Sequence, residues 1–542
     1  MGFIVDIQLR YSILKLIEDE PLSDTHLNSI FERNYMEKDK RSPSNITIFY
    51  KIIKKVVKRR LEKIPISELH NKIITTKDLL NEGQGSIQIC DPPTDAQSKI
   101  VKSLVKVVLH QQNKQFESCG TEEGQDNLIL SLFVKKIFCE YFEEVSHETM
   151  LEDDDSDLQD RILFITKENE NTKSYTIDNL TKYFKEPAIY PFYCMEDIFY
   201  DENEPLLEEF DKIDLDQENS SDIMEGETIY GIKYYKQVLK LLPISEHTIS
   251  YTNITILPST KFEGMWESLQ FDDNIKQRMY NYATISLKIS SYTSQHGSQH
   301  NMINNCNNKL LLVHGPPGTG KTTLCKALCS KLAIRGEVRE NESLNKYGNG
   351  ILLEISCSNI FSRWFGESSK NLTLIFKDIE NLLIINQLQG NFVCLLIDEV
   401  EAIAYSRSNL LNKNETTDSV RVVSTLLTLL DSLKKYENLL ILATSNIIDS
   451  LDEAFIDRAD GIFFIDNPSK FGIIAILRSS INELISLKIL ETQETEDIFT
   501  NVPYKKILEI IAEQCFVCTP MVTICKFNIN KLLTIINIRI HK

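Results

Sequence analysis

Residues 310–322 read Leu310-Leu311-Leu312-Val313-His314-Gly315-Pro316-Pro317-Gly318-Thr319-Gly320-Lys321-Thr322. An apolar run leads into a glycine loop of the form G-x-x-x-x-G-K-T, and a helical pattern, Thr323–Ala333, follows it. Strand, glycine loop and helix in that order are the context that gives this motif its chemistry. The loop Gly315–Gly320 turns backbone N–H groups toward phosphate oxygens. Lys321 neutralises the β/γ oxygens, Thr322 reaches a bound Mg²⁺, and Thr323 continues the first helical turn. ATP and Mg²⁺ are therefore the expected ligands.

Working outward, the pattern alternates between strand and helix from Leu310 onward. Strands are expected at Leu310–Val313, Ile351–Ile355, Phe392–Ile397, Leu439–Leu442 and Ile462–Ile465. Helices are expected at Thr322–Ala333, Ser368–Leu383, Ser419–Leu433 and Asp452–Asp457. Such alternation predicts an α/β fold, a parallel five-stranded sheet between helices. Ligand then sits at the carboxyl ends of the strands.

Three of those strand ends carry chemistry. Val393–Ile397 delivers Asp398 to the Mg²⁺ shell and Glu399 to orient and deprotonate an attacking water. Ile441–Ser445 delivers Asn446, suited to holding that water against the γ-phosphate. Arg458 closes a short helix and suits an arginine finger into a neighbouring subunit, with a salt bridge to Asp457 or Asp460 as the alternative. Trp364 and Phe365 sit beside Gly366, flanked by Arg363 and Glu367. The set suits a loop gripping an extended polypeptide; core packing is the alternative for Trp364.

Charge and composition narrow the class. The 542 residues carry a net charge of −19, which disfavours general nucleic-acid binding. No apolar run reaches the ~18–20 residues of a membrane span, and the start reaches Asp6 too early for a signal peptide. The 12 cysteines are scattered, several inside apolar runs, and read as reduced buried thiols; Cys515-x-x-Cys518 has no second pair at zinc spacing. The acidic stretches Glu152–Asp155 and Asp201–Asp216 read as solvated loops. Lys51–Lys63 reads as an exposed amphipathic helix, or alternatively a nuclear-import or docking patch. Ser290–Asn308 reads as a surface loop and Gly336–Gly350 as a hydrophilic insertion.

Together the glycine loop, Asp398-Glu399, Asn446, Asp452–Asp460 and the aromatic loop resemble the AAA+ superfamily. Narrower strings resemble the pachytene checkpoint ATPase family: Phe262-x-x-x-Trp266-Glu267-Ser268-Leu269, Phe361–Ser368, Asp398-Glu399-Val400-Glu401, Asp418–Val423 and Phe455–Asp460. In Asp457-Arg458-Ala459-Asp460 the chain keeps the second of two arginines common in other AAA proteins, as this family does. The resemblance covers roughly residues 257–515. It implies a homo-hexameric ring that opens HORMA-domain clients, with or without a HORMA-domain adaptor. Localisation would be nuclear, on meiotic chromosomes, and also cytoplasmic.

Carried over by resemblance, Lys321 and Thr322 bind nucleotide and Mg²⁺, Glu399 catalyses, and Asn446 is sensor 1. Arg458 is the finger, Trp364-Phe365-Gly366 the first pore loop, and Asn414–Arg421 the second. The implied organisation is a mixed α+β N-terminal client- or adaptor-recognition domain at 1–250, a linker and polar loop at 251–308, and an AAA+ large subdomain at 309–466. A small helical subdomain at 467–515 and an atypical tail at 516–542 follow. The family's Ser-Gly-Arg motif is absent after Asn446, so the small subdomain is expected to be incomplete, from a misassembled or alternative carboxyl terminus. Two other readings remain: another AAA+ unfoldase, and a nucleotide-gated binding protein with little turnover.

Overall fold

The computed structural model describes residues 2–18, 45–62, 64, 73–75, 99, 122–142, 187–195, 244–271, 273–295, 309–336, 350–357, 368–389, 391–405, 417–470, 472–474, 476–477, 490–491 and 539–540. Two compact units divide the chain. The first takes Met1–Val238, Pro258–Glu267 and Ile334–Gly348; the second takes Leu239–Leu257, Ser268–Ala333 and Asn349–Lys542.

In the first unit, β1 (Gly2–Leu9), α1 (Tyr11–Glu18), α2 (Asn45–Leu61), β2 (Ile73–Thr75), α3 (Glu122–Phe133), β3 (Val134–Phe142) and β4 (Ala188–Phe192) form an α+β domain. The sheet order is β2-β3-β1-β4, with β1 antiparallel to β3 and parallel to β4. β1 is buried on both faces. Phe3, Val5, Ile7 and Leu9 occupy one face, while Ile4, Asp6 and Gln8 occupy the other. α2 contains the basic stretch, and its Ile52, Ile53, Val56, Val57 and Leu61 are all buried, so its apolar face is core.

Asp6, a carboxylate on a central strand, needs a partner in such a place. Arg335 supplies it through Nε (2.9 Å) and Nη2 (2.9 Å) and also reaches Glu140 (2.8 Å). Burial pulls the Arg335 pKa down, but Asp6 and Glu140 outweigh it and hold the guanidinium above its ordinary value. Trp266, 1% exposed, donates its indole N–H to the same Glu140 at 2.9 Å.

In the second unit, α4 (Glu246–Tyr251), β5 (Thr252–Leu257), α5 (Ile275–Gln295), β6 (Leu310–His314), α6 (Lys321–Arg335, its last two residues counted in the first unit), β7 (Gly350–Ser356), α7 (Ser368–Gln389), β8 (Phe392–Asp398), α8 (Thr417–Leu433), β9 (Leu439–Ser445) and β10 (Gly461–Phe464) build the α/β module. The five expected strands are parallel, in the order β10-β6-β9-β8-β7. Leu312, Leu353, Leu395 and Ile441 face α7 and α8 in one core, together with Ile375, Phe376, Val423 and Leu427. Residues of opposite parity face α6: Cys394 Sγ lies 2.8 Å from Cys329 Sγ.

Two expectations are corrected. The stretch 251–308, read as linker and polar loop, contributes a sixth strand: β5 pairs antiparallel with β7, Ile254 opposite Leu353. Its β-branched residues Thr252, Ile254, Thr255 and Ile256 favour a strand, which was hidden by its shortness. The polar segment beginning at Ser290 is not all loop either, since α5 continues to Gln295 and Ser290 is buried. The acidic stretches, the 337–349 part of the insertion, Cys515 and Cys518 lie outside the described residues. Only short helical pieces up to residue 477 and a two-residue ladder, Leu490–Glu491 with Arg539–Ile540, are described in the expected small subdomain and tail. Among the described residues no helix is long and apolar enough to cross a membrane.

Arg335→Met should destabilise the first unit by about 3–5 kcal/mol, because Asp6 and Glu140 lose their buried counter-charge. Trp266 fluorescence during urea unfolding, in a Trp364→Phe background, measures it. An unmoved midpoint would contradict the account.

Candidate functional site

β6 ends at His314 and α6 begins at Lys321; the loop between them turns at glycines. Gly315 has φ +148°, and a Cβ there would lie 2.0 Å from the Ile465 carbonyl oxygen, so the position accepts no side chain. Its N–H donates to the Ser445 carbonyl at 3.3 Å. Thr319 Oγ1 folds back onto the Pro316 carbonyl at 3.0 Å. Pro317 and Gly318 are exposed at the loop's tip, and Gly320 has φ +92°.

Lys321 is 6% exposed, and its ammonium donates to the carbonyls of Gly315 (2.9 Å) and Pro316 (2.6 Å). Burial pulls its pKa below the usual lysine range, against the opposing charges of Glu401 and Asp398. The first turn of α6 carries no acidic residue, so the positive end of the helix dipole is left for a bound anion.

Asp398 closes β8. Its Oδ1 accepts from Thr322 Oγ1 at 2.7 Å and from Thr444 Oγ1. Thr444 Oγ1 also accepts the Glu399 N–H at 3.1 Å. Glu399 adopts the left-handed region at φ +55°, ψ +50°, a strained choice for a non-glycine residue. Its side chain is exposed. Asn446, just past β9, donates its backbone N–H (3.1 Å) and its Nδ2 (2.9 Å) to one oxygen of Glu401.

Glycine loop, Lys321, Thr322, Asp398, Glu399 and Asn446 thus converge at the carboxyl ends of β6, β8 and β9. A hydroxyl and a carboxylate touching one another are hard oxygen donors of the kind Mg²⁺ takes, alongside phosphate oxygens and water. Among the described residues no group of three His, Cys, Asp or Glu side chains could hold a metal ion, so a cation here would share its shell with nucleotide and water.

Arg458 stands apart from this cluster in its contacts. Its Nε and Nη2 grip Asp431 at 3.0 and 2.7 Å, and Nη1 donates to the Ala454 carbonyl at 2.6 Å. Of the two acids expected as alternatives, Asp460 instead accepts the Lys309 N–H at 2.6 Å. Trp364, Phe365 and Gly366, and the 414–416 part of the second pore loop, lie outside the described residues. Thr444, Glu401 and Asp431 are the partners that sequence reading missed. Each is a common residue whose partner lies 27 to 46 positions away, and only the Asp398–Glu401 string carried a trace of them.

The model of the "ATPase family associated with various cellular activities (AAA)" matches residues 311–467. Pachytene checkpoint protein 2 of Saccharomyces cerevisiae is 47% identical over 533 residues, covering 95% of this chain and 92% of its own length. The pachytene checkpoint protein 2 homolog of Arabidopsis thaliana is 40% identical over 261 residues, 48% of this chain and 52% of that one. The chain thus spans about half the length of that plant relative. The solved structure of C. elegans PCH-2 aligns with 80% of this chain and 88% of its own, at 22% identity and a TM-score of 0.46.

Thr444→Val should retain nucleotide binding and slow ATP hydrolysis about 10–100-fold, the usual cost of losing an outer partner that orients a carboxylate, if Asp398 serves a metal as expected. Fluorescent-nucleotide titration beside steady-state turnover checks this; unchanged turnover would remove Thr444 from the site.

Proposed function

The chain belongs to the pachytene checkpoint protein 2 family and is an AAA ATPase, and from that premise we propose that it acts as a homo-hexamer that spends ATP opening HORMA-domain proteins. The observation that carries this reading is the 47% identity to the yeast protein across 95% of the chain, which reaches the N-terminal unit as well as the ATPase module. The placing of Lys321, Thr322, Asp398, Glu399 and Asn446 at the carboxyl ends of β6, β8 and β9 supports the hydrolytic part of this reading.

Lys321 and the amino end of α6 hold the β- and γ-phosphates. Lys321 must exchange its two loop carbonyls for phosphate oxygens as nucleotide enters. Thr322 and Asp398 would hold Mg²⁺, whose charge offsets that of the phosphates. Glu399 takes a proton from the attacking water, whose oxygen bonds to the γ-phosphorus as the β–γ bridging bond breaks; ADP and inorganic phosphate result. Asn446 orients that water. Arg458 reaches the nucleotide of a neighbouring protomer, adding positive charge as the transition state forms.

In the same reading, Trp364, Phe365 and Gly366 grip the client in the central pore, with residues 414–421 as a second loop. Residues 1–250 recognise the client or a HORMA-domain adaptor. The setting is the nucleus, on meiotic chromosomes, and also the cytoplasm. Neither a membrane nor direct nucleic-acid binding is needed, in keeping with the net charge of −19. One other reading is a chain that binds ATP and captures partners with little turnover.

Steady-state hydrolysis by the 542-residue chain, with and without a HORMA-domain client, tests both. The remodeller predicts client-stimulated turnover. Glu399→Gln should bind ATP normally and hydrolyse it about 10²–10⁴-fold more slowly. Trp364→Ala should keep basal hydrolysis and lose client opening. ATP binding with no turnover in the unaltered chain would reject the remodeller and leave the capture reading.

A further inference from the structure

Arg458 is held by its own protomer in a specific way. Asp431 lies two residues before the end of α8, and its two oxygens meet Nε and Nη2 side-on, at 3.0 and 2.7 Å. Ala454 supplies a third acceptor at 2.6 Å. That carbonyl is itself fixed, because Asp452 caps the short helix Glu453–Ile456 through the Ala454 N–H at 3.1 Å. A guanidinium has five N–H donors. Three are engaged here, so one on Nη1 and one on Nη2 remain outside these bonds. The pair is not sealed in the interior: the Arg458 side chain is 25% exposed and that of Asp431 39%.

We propose that Asp431 is a positioning residue for Arg458: the side-on fork fixes the plane and reach of the guanidinium, so that its outer N–H groups meet a phosphate of the neighbouring protomer's nucleotide. This rests on the reading of Arg458 as a finger acting in trans. The physical ground is preorganisation. An unheld arginine loses much rotamer freedom on meeting a phosphate, whereas one already held in plane loses less. A latch that merely sequestered the finger would be expected to occupy its outer edge; here the carboxylate takes the Nε side.

The hydrogen bond from Arg458, against the opposing effect of burial and with help from Lys434, lowers the Asp431 carboxyl to about 2. The fork is therefore charged throughout the working pH range and does not act as a proton switch.

The test is a double-mutant cycle on the full chain, reading kcat, KM for ATP and the thermal midpoint. Asp431→Asn should lower kcat by about 10-fold or more, toward the roughly 100-fold that a misplacement near 1 Å can cost. KM and the midpoint should stay close to the parent values, and Asp431→Glu should recover most of the turnover. In an Arg458→Ala background the Asp431→Asn change should have no further effect. Parental kcat in Asp431→Asn, or an equal loss with Arg458 already removed, overturns the inference while leaving the finger intact. Parental kcat in Arg458→Ala overturns the finger itself.

Discussion

The register of three parallel strands fixes the relative positions of the groups at the candidate site. Ile397 of β8 pairs with Ala443 of β9, so Asp398 and Thr444 stand level, one step further along. His314 of β6 pairs with Ser445, which sets the start of the glycine loop beside the end of β9. Parity does the rest. Cys394, Leu396 and Asp398 share one face, as do Leu440, Leu442 and Thr444, and that face looks toward α6, where Thr322 waits. A slip of one residue would turn Asp398 toward α7 and α8, into an apolar core. The burial that pins the register thereby also aims the chemistry.

The first unit uses charge differently. Asp6 and Gln8 lie on a strand whose other buried residues are Phe3, Ile4, Val5, Ile7 and Leu9, and both are fully buried. Gln8 Nε2 is satisfied by Cys194 Sγ (3.2 Å) and Glu263 (3.4 Å), Asp6 by Arg335. Burying these charges costs desolvation, and an apolar core would be no less stable. What the network adds is definition: three segments distant in sequence, at Asp6, Glu140 and Arg335, are joined in one charge-paired arrangement.

Sequence reading reached the features whose logic is local. The glycine loop, Asp398-Glu399 and Asn446 each sit at the end of an apolar strand with a short-range signature, and four of the parallel strands fell within a residue or two of their expected bounds. Partners set by register were beyond it. Nothing near Thr444 marks it as the hydroxyl joining Asp398 to the Glu399 N–H. Arg458 has acids at 457 and 460 in sequence, yet the end of α8 brings Asp431 to it while Asp460 is drawn to Lys309. β5 was missed because six residues joined to a short helix carry little periodicity; only pairing with β7 makes them a strand. The buried network around Arg335 had no sequence signal, because its members are ordinary charged residues far apart in the chain.

One property sets Glu399 apart from the other groups assigned to hydrolysis. Lys321 rests on Gly315 and Pro316, Asn446 on Glu401, Asp398 on two threonines, and Arg458 on Asp431. Each has a hydrogen-bond partner in its own chain, as partly buried polar groups usually do. Among the described residues no side-chain hydrogen bond holds the Glu399 carboxylate, while its left-handed backbone donates its N–H to Thr444 Oγ1 (3.1 Å) and accepts the Ala402 N–H at its carbonyl (3.0 Å). A base that must accept a proton from water gains from an uncommitted carboxylate, since a protein donor on it would favour the ionised form and weaken it as an acceptor. Glu399 thus pairs a left-handed backbone, at φ +55°, with an exposed side chain.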